Sequence, residues 1–530
     1  MLQTVKAVRG MVSASHHLAA QAGLEVLREN GNAIEAMVAA AATISVVYPH
    51  MNSLGGDGFW LISEPGRRPP RAISAIGAAG AAVDETLYRG RGLDAVPSRG
   101  ALAANTVAGT VSGWSAALEI SAQWGGKFSL SRLLEEPIYY AKAGFPVSES
   151  QHRFTRDKRG ELADVPGWSD TFLMDGEAPT PGTLFKQPAL AETLERLVAA
   201  GLDDFYRGEL ARRIAADLSR VGSPVTADDL AHQCVAATDP LSVSLRCATV
   251  YNVMPPSQGL ASLMILALFD RLGCEHANGF DHVHGLVEAT KRAILIRNEH
   301  VTDPAYMTVD PRELLSNATM AELADKIDAA KAMPWPLQGA PGDTVWLGAV
   351  DSEGRAVSFI HSIYWEFGSG INLRDTGIQW QNRGSSFSLN KEDRNYICPG
   401  RLPFHTNNPA LALFDDDRVM VYGTMGGEGQ PQTQAAVFTR YALYGQGLQR
   451  AITAPRWVLS RTWGAPRTDL RLEARFSDDV IEALRAAGHE VSVVGAFDDV
   501  MGHAGAIVLH PSGVMEGATD PRSDGAVAAF

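Results

Sequence analysis

The sequence predicts a layered fold of β-sheets covered by helices, α/β or α+β. Three observations predict it. An alanine-rich apolar stretch from Ala36 to Tyr48, bounded by Glu35 and Pro49, reads as a buried helix close-packed on a sheet. From about Gly113 to Asp303 the pattern is largely helical. After about Trp335 it changes to strands interspersed with helices.

In chain order, a first helix is expected from about His17 to Asn30. Leu18, Ala22, Leu24 and Leu27 form its apolar side and Gly31 its stop. A second begins near Asn32 and is alanine-rich through Ala42. Leu54-Gly55-Gly56-Asp57-Gly58-Phe59 reads as a glycine turn feeding a strand through Ile62. Helices follow at Ser129 to Ala143, Gln187 to Ala200, Gly208 to Val221 and His282 to Asp303. Thr226-Ala227-Asp228-Asp229 is a capping box with Asp in place of Glu. Met254-Pro255-Pro256-Ser257-Gln258-Gly259 is a rigid loop before a buried helix from Leu260 to Leu272. Pro336 to Asp343 is rich in Pro and Gly and expected to be exposed. Thr344 to Asp351, the turn Ser352-Glu353-Gly354 and Ala356 to Tyr364 form strand, turn and strand. Further strands are expected near Ile378, Arg418 to Tyr422, Val491 to Val494 and Ala506 to Leu509. Helices are expected near Gln432 to Tyr444 and Ser477 to Ala487.

Composition narrows the function. The 530 residues are 45% hydrophobic and 20% charged, an ordinary globular balance. Length alone favours three or four domains, but no linker or repeat supports a division, and one large unit fits as well. A net charge of −14 repels phosphate backbones and argues against nucleic acid. Cys234, Cys247, Cys274 and Cys398 match no zinc spacing and read as free thiols. No signal-peptide core follows Met1, and no stretch approaches the ~20 apolar residues of a membrane span. A cytoplasmic protein is expected. There is no G-x-S-x-G, no Walker A and no H-E-x-x-H. His16-His17 and His282-x-His284 read as capping or packing residues, so neither metal nor organic cofactor is expected.

One set of motifs is specific. Ser15-His16-His17-Leu18-Ala19-Ala20-Gln21-Ala22-Gly23 with Gly31-Asn32-Ala33 resembles the opening of γ-glutamyltranspeptidases. The likeness continues through the glycine turn at Leu54, Ala108-Gly109-Thr110-Val111-Ser112-Gly113, Met254-Pro255-Pro256-Ser257 and Phe367-Gly368-Ser369-Gly370. It runs on through Gly426-Gly427 and Ala454-Pro455-Arg456 to Asp520-Pro521-Arg522-Ser523. The resemblance implies an α+β fold, the four-layer αββα sandwich of N-terminal-nucleophile hydrolases. It implies self-cleavage between Asp343 and Thr344 into a large subunit, 1–343, and a small one, 344–530. The two would stay together as one compact fold, expected to pair as a dimer of such heterodimers.

Chemistry supports that cut. A threonine hydroxyl needs a base, and a chain-internal threonine has none of its own. Once the bond before Thr344 breaks, its α-amino group, titrating near ~8, can take the hydroxyl proton. Taken alone, Thr344 is a strand-forming residue; its place ahead of strand, turn, strand and Phe367-Gly368-Ser369-Gly370 is what marks it. By resemblance Ser362 stands where the family has a second supporting Thr, and Gly426 and Gly427 match its oxyanion-hole glycines.

The departures cluster at the substrate. Ala78 to Val83 has no Arg at the family's place, Tyr364 replaces an Asn, and Phe404-His405-Thr406 replaces a Ser pair. Gln381-Asn382-Arg383-Gly384-Ser385-Ser386 replaces an Asn-Asn run followed by acidic residues. Arg383 would repel a substrate ammonium and hold a carboxylate; alternatively it belongs to a plain ion pair. Asn382, Tyr364, His405 and Thr406 are the other substrate-binding candidates, and Tyr364, Trp365 and Trp380 suit a small pocket. The pattern resembles a transpeptidase-like subgroup that includes oxamate amidohydrolase, an enzyme of uric acid degradation. The expected activity is amide hydrolysis of a small carboxylate-bearing substrate, oxamate to oxalate and ammonia. The alternatives are a glutathione hydrolase or transferase, a glutaryl-amide acylase of the cephalosporin type, and an uncleaved binding protein.

Overall fold

A computed structural model describes residues 3–337, 342–460 and 467–530, with the backbone alone at 343. Two antiparallel seven-stranded sheets lie face to face. The first runs in the order Ala526–Ala529, Met11–Ala14, Asp343–Val350, Ala356–Tyr364, Asp57–Ser63, Arg71–Ala75, Ala236–Thr238. The second runs Val5–Ala7, Met515–Thr519, Ala504–Leu509, Val419–Thr424, Ala410–Phe414, Ala248–Asn252, Leu241–Ser244.

Strand alternation sorts the side chains into layers. In the first sheet Phe59, Leu61, Trp346 and Ile360 face Leu411, Leu413, Val421 and Ile507 of the second, making the core between the sheets. The intervening residues Trp60, Ile62, Val345 and Leu347 turn outward to the helices His17–Arg28, Ala33–Val47 and Thr110–Gln123. On the far side Ala410, Ala412, Met420 and Tyr422 meet the helices Gly259–Leu272, Phe280–His300 and Gln430–Phe438. These are four layers, helix, sheet, sheet, helix.

Every residue of Ala33–Val47 is buried, and Asn32 with Glu35 closes a capping box at its start. The box at Thr226 and Asp229 is also present. The strand Ala356–Tyr364 has its expected bounds, and Val491–Val494 likewise.

Three expectations need correction. The middle is largely helical as expected but also contains the strands Ala236–Thr238, Leu241–Ser244 and Ala248–Asn252, and its helix Glu149–Leu162 was not among the segments named. Ser129 to Ala143 divides at Leu134 into two helices. Ile378 lies in no strand; its neighbours Gln379 and Trp380 make isolated bridges to Asn372 and Gly55. Of the loop expected to be exposed from 336 to 343, residues 338–341 lie outside the described residues; Pro336 is exposed, but Gly342 is buried and Asp343 begins a strand. The four cysteines are free. Among the described residues, no helix is long and apolar enough to cross a membrane.

Candidate active site

The site forms where the two sheets meet at one end. Thr344 lies one residue into its strand, at a register shift between residues 343 and 345 against Ala356–Tyr364. Such bulges re-aim side chains beside active sites. Thr344 is 1% exposed, and its Oγ1 stands 3.3 Å from Ser362 Oγ and 3.1 Å from Asn407 Oδ1. Gln430 Nε2 donates to it at 3.2 Å. Ser362 Oγ also accepts the N–H of Tyr364 at 2.8 Å. Because an amide oxygen only accepts, a threonine proton directed to Asn407 leaves the Thr344 oxygen open to the Gln430 donor.

Gly426 and Gly427 follow the strand Val419–Thr424, just ahead of the helix that starts at Gln430. Both have positive φ, 127° and 51°. A Cβ on Gly427 would stand 2.8 to 2.9 Å from backbone atoms of Gly342, so any side chain there would collide. Gln258 Nε2 fixes this loop by donating to the carbonyls of Gly427, at 2.8 Å, and Thr406, at 2.7 Å. Arg297 Nη1 in turn holds Gln258 Oε1 at 2.8 Å. That is the structural use of the Pro-Pro-Ser-Gln motif.

Gly342 is buried in the continuous chain, and a Cβ on it would meet Gly427 Cα at 3.0 Å, Tyr364 Cε2 at 3.4 Å and Thr406 Oγ1 at 3.5 Å. Gly342, two residues before Thr344, therefore fills the space on which these three groups converge.

Arg383 is fully buried. Its guanidinium lies 3.9 Å over the Tyr364 ring, and Nη1 donates to Thr406 Oγ1 at 3.3 Å. Nε and Nη2 have no hydrogen-bond partner, and among the described residues no carboxylate lies within ion-pair distance. Among the described residues the plain ion pair left open by the sequence is not formed. Burial lowers the Arg383 pKa to about 10. Tyr364 holds φ at +82°, a conformation uncommon for a bulky residue.

Beside Arg383 lies a buried acid. Asp57 Oδ1 accepts the N–H groups of Gly77, at 3.0 Å, and Gly109, at 2.9 Å. Its Oδ2 lies 3.4 Å from His405 Nε2 without forming a hydrogen bond, and neither His405 nitrogen is bonded. Burial raises Asp57 to about 7 against the pull of Arg383 and the two N–H groups. Burial, then Arg383, holds His405 well below the ordinary histidine value.

The sequence candidates are thus sorted. Thr344, Ser362, Gly427, Tyr364, Arg383 and Thr406 share one site. His405 turns to Asp57. Asn382 departs from expectation: its side chain is committed to the main chain, accepting from Trp365 N at 3.1 Å and donating to Ser98 O at 2.8 Å. Trp380 is buried with its indole N–H on Thr106 O at 3.0 Å. Asn407, Gln430 and Asp57 were missed as site residues. The available signals were their places, beside Phe404-His405-Thr406, after the glycine pair and within the glycine turn.

A cavity of about 480 Å³ opens beside the site, lined by Tyr364, Trp365, Ser385, Arg394, Phe404 and Glu428. A larger one of about 740 Å³, around Arg71, Tyr206 and Gln233, contains none of the site residues. One described cluster, His284, Glu288 and His489, is compact enough for a metal ion. Lys291 and Arg292 already neutralise Glu288 at 2.8 and 3.0 Å, and the two imidazoles bond each other at 2.9 Å, so cations occupy its charge.

The gamma-glutamyltranspeptidase family model matches residues 19–530. The chain belongs to the gamma-glutamyltranspeptidase family. It is 54% identical over 522 residues to the oxamate amidohydrolase proenzyme of Klebsiella pneumoniae, covering 98% of each chain. It is 42% identical to the glutathione hydrolase-like YwrD proenzyme of Bacillus subtilis, covering 99% of each. Among solved structures, a cephalosporin acylase from Bacillus halodurans superposes with a TM-score of 0.91 at 33% identity, covering 100% of this chain and 97% of that one. As a gamma-glutamyltranspeptidase family member the protein is an amidohydrolase, with the α+β sandwich of N-terminal-nucleophile hydrolases.

Proposed function

We propose that the protein cuts itself before Thr344 and then hydrolyses the amide of a small carboxylate-bearing substrate, oxamate above others. The observation that carries this reading is Arg383: a buried guanidinium with two unpartnered donors, one chain position from the network around Thr344, since Thr406 holds Arg383 and Asn407 holds the nucleophile. The relative named oxamate amidohydrolase proenzyme supports it.

In the first step Thr344 Oγ attacks the carbonyl carbon of residue 343, and the peptide C–N bond breaks as the acyl group moves to oxygen. Water hydrolyses this ester, giving a carboxylate at 343 and a free Thr344 amine and hydroxyl. The segment carrying Gly342 then leaves the space against Tyr364, Thr406 and Gly427. Oxamate enters with its carboxylate on Arg383 Nε and Nη2, a bidentate pair. Thr344 Oγ attacks the amide carbon while its amine takes the hydroxyl proton. Gly426 and Gly427 N–H groups stabilise the oxyanion. The amine passes the proton to the departing nitrogen, releasing ammonia. Water, deprotonated by the same amine, cleaves the oxalyl ester to oxalate and restores Thr344.

A γ-glutamyl substrate fits poorly, because its α-ammonium would enter beside a buried cation. The test is a screen of matured enzyme. Ammonia and oxalate from oxamate, without colour from γ-glutamyl-p-nitroanilide, are expected. The reverse result supports glutathione hydrolysis, and turnover of glutaryl amides alone supports an acylase.

A further inference from the structure

We propose that Asp57, acting through His405, is a positioning residue that sets the charge at the Arg383 carboxylate seat, so that a substrate carboxylate enters together with a proton. This rests on the reading of Arg383 given above.

The geometry is that of a two-state donor pair. Asp57 and His405 are fully buried, and the facing atoms, Oδ2 and Nε2, are 3.4 Å apart and otherwise unbonded. Asp57 stays fixed by Gly77 N and Gly109 N on its other oxygen. His405 is fixed edge-on to Phe59, with centroids 5.2 Å apart. Its chain neighbour Thr406 carries the hydrogen bond to Arg383. One proton suffices to join Oδ2 and Nε2, and it can be held in either of two ways. If Asp57 is ionised, His405 donates to it, and the acid offsets much of the charge of Arg383. If Asp57 is protonated, it donates to Nε2 while His405 carries its own N–H on Nδ1, and Arg383 meets the substrate with its charge undiminished. A carboxylate arriving on Nε and Nη2 brings a full negative charge into the same buried volume. That favours the second arrangement, the added proton coming from solvent.

The groups facing Asp57 from other elements do not duplicate this role. Tyr206 is fully buried around its hydroxyl, bonded to Ala108 O at 2.9 Å and to Ser112 N at 3.0 Å, and burial raises its pKa, so it stays neutral. Gln381 is uncharged. Arg383 remains a cation at about 10. The remaining group is the Thr344 amine created by cleavage, across Ser362, which pairs with Asp57 in the sheet. It titrates whatever stands at 57.

The experiment is calorimetric binding of oxalate to matured enzyme at pH 6.5 and 8.0. Wild type should weaken about tenfold across this interval, as Asp57 titrates near 7 in the free enzyme. Asp57→Asn retains the acceptor for Gly77 and Gly109 and donates permanently to His405. Its affinity should change by about twofold or less, the residue of the amine titration. Equal slopes in both proteins overturn the proposal while leaving Arg383 untouched. If Asp57→Asn fails to mature, infrared difference spectra of wild type at pH 8.0 decide: oxalate should bring up a protonated-carboxyl C=O band, and its absence overturns the proposal. Oxalate binding equally well to Arg383→Ala takes both readings down.

Discussion

Asn407 Oδ1 stands 3.1 Å from Thr344 Oγ1, across the two sheets, and Asn407 O accepts a bond from Ser257 Oγ at 2.5 Å. Thr344, the proposed nucleophile on one sheet, is thereby oriented by the loop that enters the other. Replacing Asn407 with Leu keeps the branched shape and removes the acceptor. A hydrogen bond of this kind contributes about 1–2 kcal/mol, so kcat should fall about tenfold, with KM little changed. Self-cleavage should slow in parallel, followed by the disappearance of the full-length band on a denaturing gel. Unaltered rates of both would leave Asn407 a packing residue.

Thr344→Ala should remain a single chain and show no turnover, because both steps use the same hydroxyl. Thr344→Ser keeps a hydroxyl and a terminal amine, so it should yield fragments 1–343 and 344–530, more slowly where the lost methyl frees χ1. Fragment masses check both outcomes. Intact wild-type chain with full activity would end this account.

Much of this was legible in the sequence, and the gaps have physical causes. The helix Ala33–Val47 announced itself by an apolar run with a capping residue at its start. Leu241–Ser244 did not, since four residues alternating buried and exposed give too short a signal within a helical neighbourhood. Strand order is invisible locally: Met11–Ala14 pairs with Ala526–Ala529, at the other end of the chain. Thr344, Ser362 and the glycine pair could be proposed because they lie in motifs. Asn407 and Gln430 were not, because what selects them is proximity to Thr344 Oγ1. For Arg383 the sequence supplied the cation, and only the fold shows that, among the described residues, no carboxylate bonds it directly and the buried Asp57 acts on it without contact.

The lack of a directly bonded carboxylate predicts how substitution will behave. Arg383→Ala should lower kcat/KM for oxamate by about 2–5 kcal/mol, roughly 30-fold or more, chiefly through KM. Arg383→Lys should recover little, because a point charge cannot reproduce the paired Nε and Nη2 donors. The variant should also be no less stable than wild type, since a buried, half-satisfied cation is removed. Kinetics with oxamate and a melting curve test the two halves separately. A large drop in stability would recast Arg383 as structural.

The opposite behaviour is expected at the buried ion network joining Ala454-Pro455-Arg456 to Asp520-Pro521-Arg522. Asp520 is paired with Arg456 and, at 3.0 Å, with Arg522. Arg522 also forks onto Glu473 at 2.6 and 2.7 Å. The side chains of Arg456, Arg522, Asp520 and Glu473 are all fully buried. Asp520→Asn should therefore destabilise the protein by about 3–5 kcal/mol, because two desolvated cations lose a counter-charge. Asp520 lies below its ordinary value of 3.8, burial opposing and Arg456 and Arg522 prevailing. A depressed carboxyl pKa stabilises the fold fully above the unfolded value, near pH 4, and the contribution is lost as pH falls through the lower folded value. Melting temperature should thus be insensitive to this residue's titration from pH 5 to 8 and fall steeply below about 4. In Asp520→Asn the whole curve should lie lower and its acid limb should be shallower. Parallel curves would show that acid unfolds the protein through other carboxyls.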